Sequence, residues 1–201
     1  MEWKIPRMWP GATCYILGGG PSLLQADMEI VRKKRTIATN NAYQLAPWAE
    51  ILFFMDNQWF KEHEARLAKY KGIKVSIANQ FKDRRGIQYL HRGSKTMLGT
   101  IPTMIHNGNN SGYSAVNIAF HLGVSRIILV GFDMRVVGSK HNFHDQHTRK
   151  MLDNIYDKEY IPNFETIKQP LEKKGVSVYN TCLDSGLKCF PFVSLEETAS
   201  W

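Results

Sequence analysis

Short, continuous apolar runs recur along most of the chain, with polar or one-sided stretches between them. Residues 12–17, 36–39, 50–55, 73–77, 127–130 and 176–180 read as strands. Their apolar residues are consecutive and not alternating, the pattern of strands covered on both faces. Between them the period changes. Residues 23–34 place Leu24, Met28 and Val31 near one face of a helix. Residues 57–70 read as a second helix closed by Gly72, and a turn falls near Pro47 and Trp48. Within residues 109–134, Ala115, Ile118, Ala119 and Leu122 make an apolar helical stripe, Ser111 suits its N-cap and Gly123 its C-cap. Residues 164–174 are the last helix. This alternation predicts the α/β class: a single Rossmann-like domain over residues 1–201, mostly parallel sheet with helices on both faces. Residues 79–110 break the pattern, with weak periodicity and the stretch TMLGTIPTM. They read as an irregular insertion that can serve as an acceptor-side lid.

The stretch YILGGGPSLL joins the first strand to the first helix. Gly18, Gly19 and Gly20 permit positive φ and close approach to the backbone, and Pro21 and Ser22 suit a first helical turn. Strand, glycine turn and helix start form the layout of an anion site. In parallel sheets ligands bind beyond the carboxyl ends of the strands. Those ends also carry Asn40, Asn41, Asp56 and Asp133. The two amides suit a base edge or a ribose, or a simple turn. Either carboxylate suits a ribose hydroxyl or a hydrated Mg²⁺, and Asp133 can instead cap the next turn. Ser111 and Gly112 open a helix that would offer a second anion site facing the first.

Composition narrows the partners. Of 201 residues, 43% are hydrophobic and 22% charged, ordinary for a folded soluble protein. No run approaches the ~18 apolar residues of a membrane span, and the N-terminal stretch lacks a signal-peptide pattern. Cys14, Cys182 and Cys189 are odd in number without CxxC spacing, so reduced thiols and a cytoplasmic setting are expected. The net charge of +8 favours anionic partners: nucleotides, sugar phosphates or nucleic acid. The densest basic runs, VRKKR and KDRR, read as solvated helix ends or loops.

The most chemically loaded stretch is RVVGSKHNFHDQHTRK. His141, His144 and His147 are spaced three apart, and imidazole moves protons near neutral pH. Arg135 and Lys140 can neutralise a leaving phosphate. Three histidines with Asp145 also permit zinc, but the spacing is not HExxH and no cysteine joins it. No metal site is assigned, and no cofactor is firmly implied.

Three segments, GGGPSL, TNNAY and NSGYSAVNIAFHLGVSRIILVGFDM, resemble two related groups. These are the bacterial sialyltransferases of glycosyltransferase family 42 and the MptE-like (DUF115) family, which includes archaeal 6-hydroxymethylpterin diphosphokinases and many phage proteins. KQPLEKKGVSVYNTCLDSGL is similar to the sialyltransferase C-terminus. The resemblance implies that Gly18–Ser22, Asn40, Asp56 and Ser111 bind a nucleotide sugar. It departs at Gly19 and Asp56, where the sialyltransferases have Asn. Their two phosphate-holding tyrosines are matched here to Arg135 and His141, and His144 or His147 to their catalytic base. The resemblance therefore implies metal-independent glycosyl transfer from a nucleotide-sugar donor. The alternatives are an MptE-type diphosphokinase with Mg²⁺ near Asp56 and Asp133, or a non-catalytic protein that binds nucleotides or nucleic acid. A phage member would act in the host cytoplasm.

Overall fold

The computed structural model describes residues 2–144, 152 and 154–201. Its main sheet has seven parallel strands in the order β5-β4-β3-β2-β1-β8-β9. β1 (Thr13–Leu17) leads into a 3-10 turn, Pro21–Gln25, and the short helix α1 (Met28–Val31). The single helix expected over residues 23–34 is thus two pieces. Ala26 is extended, and the Asp27 side chain restarts the helix by accepting from the Glu29 amide at 2.9 Å. β2 (Arg35–Thr39) and a 3-10 turn, Asn40–Gln44, precede β3 (Ile51–Phe54). α2 (Asn57–Leu67) and β4 (Ile73–Ser76) follow.

The segment expected to be irregular contains a 3-10 turn, Asn79–Phe81, and three two-residue strands. β5 (Gln88–Tyr89) extends the sheet beyond β4, while β6 (His91–Arg92) and β7 (Met104–Ile105) pair in parallel as a separate ribbon. Strands this short carry too few positions to show a period. The segment is anchored by the buried Leu90 and Ile105.

α3 (Ser111–Leu122) ends at Gly123, whose φ of 90° is left-handed, and β8 (Arg126–Val130) pairs with β1. A turn with i→i+5 bonding, Tyr156–Tyr160, runs directly into α4 (Ile161–Lys173), so this helix begins earlier than its apolar period predicts. β9 (Ser177–Asn180) closes the sheet edge.

Successive strand residues pack on opposite faces. Cys14 and Ile16 of β1 lie in one buried cluster with Ile118 of α3 and Phe164 of α4. Tyr15 and Leu17 lie in the other, with Leu23, Val31 and Phe60 of α2. Both faces of the sheet are therefore covered. All three cysteines are free thiols, with Cys14 and Cys182 buried.

Candidate nucleotide-binding cleft

A cleft of about 510 Å³ crosses the carboxyl ends of β8, β1, β2 and β3. Gly18, Gly19, Gly20, Asn40, Asp56, Ser111, Gly112, Asp133 and His141 all line it. Residues more than a hundred positions apart in the sequence are thus brought together.

The glycine turn works differently from its expected form. None of the three glycines has a positive φ. Their common property is close approach. A Cβ on Gly18 would lie 2.5 Å from the Gly131 carbonyl oxygen, and one on Gly20 would lie 1.9 Å from Asp133 Oδ2. Most turn amides are also committed internally. Gly18 N–H donates to Val130 O and Gly20 N–H to Gly131 O, both at 2.8 Å. Ser22 donates its amide to Asp133 Oδ1 at 3.1 Å and its hydroxyl to Asp133 Oδ2 at 2.7 Å. Within residues 18–22, Gly19 alone keeps an amide N–H with no acceptor among the described residues.

Asp133 is therefore a brace. It is buried, and its carboxylate fixes the first turn after the glycines. Pro21 and Ser22 sit on the far side of that brace, in a neighbouring cleft of about 450 Å³ shared with Arg135. Arg135 lines only this second cleft, 3.9 Å from Asp184, and so stands apart from His141. The left-handed Met134 between Asp133 and Arg135 turns the chain there. Asn41 also has another place than expected: it is buried and accepts from the Trp59 indole N–H.

The other strand ends build the opposite wall. Asn40, left-handed at φ 46°, donates its Nδ2 to Ser111 Oγ at 3.1 Å. The Ser111 hydroxyl is then an acceptor toward Asn40, and its proton remains available to a ligand. Ser111 is the first residue of α3 but not its cap. Asn110 is the cap, and its Oδ1 accepts from Gly112 N at 2.8 Å and Tyr113 N at 3.2 Å. Asp56 caps α2 in the same way, accepting from Trp59 N at 3.0 Å, while its carboxylate also faces the cleft. The ends of β3 and β8 are three strand spacings, about 14 Å, apart. Among the described residues no cluster of three or more His, Cys, Asp or Glu could hold a metal.

Two tyrosines complete the cleft, and sequence reading missed both. Tyr156 and Tyr160 line the wall beside His141. They bracket the i→i+5 turn before α4, within a stretch read only as acidic and aromatic. The signal was present as two tyrosines four apart at a helix entrance. Burial raises both phenols above their ordinary pKa, with Tyr160 adding to the effect on Tyr156 and Glu159 to that on Tyr160. Both therefore carry their protons near neutral pH. Tyr156 stacks on the His141 ring at 5.6 Å and donates to His141 O at 3.2 Å. The same loop lies on the glycine turn through Phe143 N–H, which donates to Gly19 O at 2.9 Å. His144 contacts the Phe143 ring and is not on the cleft lining. His147 and Asp145 lie outside the described residues.

Among the described residues, the uncommitted hydrogen-bond donors of the cleft include Gly19 N–H, the Ser111 amide and hydroxyl, and the Tyr160 hydroxyl. The α3 dipole points its positive end at the same space. This arrangement suits an anion with several acceptor oxygens.

The fold is similar to that of a solved sialyltransferase. The CstII sialyltransferase from Campylobacter jejuni, in complex with cytidine-5'-monophosphate, superposes with a TM-score of 0.58 over 92% of this chain and 86% of that one, at 14% identity. Its complex with CMP-3FNeuAc gives 0.58 over 91% and 86%, at 13% identity. A substituted form with CMP gives 0.52 over 89% and 84%, at 15% identity. The chain matches no family model and no curated protein sequence.

Proposed function

We propose that the chain is a nucleotide-dependent transferase that moves a glycosyl group from a nucleotide sugar to an acceptor hydroxyl. The observation that carries this reading is the convergence of uncommitted donors at Gly19, Ser111 and Tyr160 in one strand-end cleft. The 5′-phosphate lies between Gly19 and the start of α3, and the ribose lies over Asn40 and Asp56. CMP or a CMP-sugar analogue in the CstII complexes supports a nucleoside monophosphate leaving group.

In the reaction the acceptor oxygen attacks the anomeric carbon. The bond from that carbon to the phosphate oxygen breaks, and its electron pair stays on the phosphate. The Gly19 amide and the hydroxyls of Ser111 and Tyr160 stabilise the developing charge, a role in which fixed donors outperform water. These neutral groups take the place in which sequence comparison put Arg135. The acceptor proton passes to a histidine of the loop that begins at His141. Among the described residues of that loop, His141 is the histidine that lines the cleft, stacked on Tyr156.

The test is nucleotide release from CMP-, UDP- and GDP-sugars, with chelator present. Turnover with one of them is expected, and Tyr160→Phe should lower kcat by about tenfold or more, the loss of one oxyanion donor. No release from any sugar nucleotide, together with Mg²⁺-dependent AMP formation from ATP, would contradict glycosyl transfer. That outcome would favour the diphosphokinase reading, which Asp56 at the end of β3 supports.

A further inference from the structure

One carboxylate joins three elements at the wall of the cleft. Glu159 belongs to the i→i+5 turn and lines the cleft beside Tyr160. Its Oε1 accepts from Asn109 Nδ2, and Lys95 Nζ lies 3.5 Å from the same oxygen. Asn109 belongs to the loop before α3. Lys95 belongs to the insertion, which also sends Arg92 of β6 to the cleft lining. The turn, the insertion and the start of α3 therefore meet at Glu159. The Lys95 side chain is 64% exposed and that of Glu159 only 28%. An exposed lysine pair holds weakly, so the bond from Asn109 is the firmer of the two.

That bond links two walls that each carry a phosphate donor. Tyr160 follows Glu159 directly, and Asn109 stands two residues before Ser111. The loop is shaped to reach across. Gly108 and Asn109 are both left-handed, at φ 55° and 51°. Asparagine is among the few side-chain-bearing residues that take this conformation readily. Asn109 N–H donates to Asn107 Oδ1 at 2.9 Å, which fixes the turn. A second tie lies deeper, where the buried Asn163 of α4 donates its Nδ2 to Gly108 O at 3.0 Å. Asn163 secures the helix, and Glu159 secures the turn ahead of it.

Tyr160 needs such a tie. Its hydroxyl has no hydrogen bond among the described residues, and its ring meets Tyr156 edge-on at 5.9 Å. The place of the hydroxyl is therefore set by that ring contact and by the backbone of the turn. An i→i+5 turn inserts an extra residue into the helical period, and such turns recur at functional sites. A donor aimed at a phosphate has to be held within about 0.5 Å. The Glu159 charge also opposes ionisation of the neighbouring phenol, which keeps the proton that Tyr160 donates.

We propose that Glu159 is a positioning residue, which holds the Tyr160 hydroxyl at the phosphate site by tying its turn to Asn109. This rests on the nucleotide reading of the cleft, and its test separates the two. CMP, UMP and GMP are titrated calorimetrically into wild-type protein without metal. The tightest of them is then titrated into Tyr160→Phe, Glu159→Ala, Glu159→Gln, Asn109→Gly and the double variant Glu159→Ala/Tyr160→Phe. Circular dichroism checks each fold. Asn109→Gly keeps the left-handed backbone and reads the same bond from its other end, should Glu159→Ala not fold. Tyr160→Phe is expected to weaken binding by about tenfold, the loss of one hydrogen bond to a charged group. Glu159→Ala and Asn109→Gly should weaken it by a similar factor. Glu159→Gln should restore most of the affinity, because its amide oxygen still accepts from Asn109. The double variant should bind no more weakly than Tyr160→Phe, because a residue acting through Tyr160 then has nothing left to place. Positioning is overturned if the two losses multiply in the double variant. It is also overturned if Glu159→Gln is as weak as Glu159→Ala, because charge and not the Asn109 bond would then matter. If wild type binds a nucleotide and Glu159→Ala or Asn109→Gly binds it equally well, the nucleotide reading survives and positioning falls. If wild type binds none of the three, both fall.

Discussion

At the scale of single residues, Asp133 and Gly20 form one device. The carboxylate occupies the space that a Cβ at position 20 would need, and Ser22 saturates both of its oxygens. Gly20→Ala should therefore cost about 1–3 kcal/mol, the usual range for forcing atoms into packed space, and chemical denaturation reads it as a lower midpoint. Asp133→Ala should cost about as much, because it leaves the Ser22 amide without its acceptor. If the two costs fail to overlap in the double variant, the shared brace is wrong. The sequence displayed this turn plainly, but the physical role differed from the expected one. Three glycines suggested positive φ and a ring of free amides. The fold uses their missing Cβ atoms and leaves one amide, Gly19, for a ligand. Such a distinction depends on Asp133, which is remote in sequence and comes close only once β1 and β8 pair.

A second residue-scale effect lies at His121, near the end of α3. Its Nε2 is buried without a hydrogen-bond partner among the described residues. Burial lowers its pKa to about 4, with the Gly99 backbone opposing the shift and His106 adding to it. An unfolded histidine titrates near 6.5. Between these values the unfolded chain binds the extra proton, so stability rises with pH. The contribution is fully present above about pH 6.5 and fades as pH falls toward 4. His121→Phe should flatten the pH dependence of the melting temperature in that window. An unchanged slope would exclude His121 as its source.

At the scale of elements, the helix starts organise the cleft. Asn110 and Asp56 cap α3 and α2 with side chains that also border it. Asn110→Ala should destabilise the protein by about 1 kcal/mol, as cap removal does, and Asn110→Asp should restore most of it. Thermal melts of the three proteins check this. Ser111 was the expected cap, and either residue type is acceptable there. Only the extended backbone of Asn110, against the helical start at Ser111, decides between them. The central elements β1, β2, β3, α3, β8 and β9 were legible because each carries enough residues for its period to emerge. The two-residue strands β5 to β7 were not, and they hide the position of Arg92. Tyr156 and Tyr160 escaped for a related reason, since an i→i+5 turn has no period of its own in hydropathy.

At the scale of the molecule, the charge of +8 does not reside in the cleft. In the run VRKKR, Lys34 Nζ binds Ala199 O at 2.7 Å, Arg32 lies over Trp48, and Arg35 pairs with Glu50. In KDRR, Arg84 pairs with Glu64 and lies over Phe60. Lys34 thus fastens residues 199–201, and Arg84 fastens α2. The central claim concerns the other end of the charge scale: neutral, preorganised donors that receive one phosphate. The most direct measurement is a CMP titration, without metal, followed by the ¹⁵N–¹H resonances of the backbone. The account predicts saturable shifts of the Gly19 and Ser111 amides, while the Ser22 amide, held by Asp133, moves least within the turn. Saturable shifts confined to the cleft of Arg135 and Asp184, or none at millimolar CMP, would contradict it.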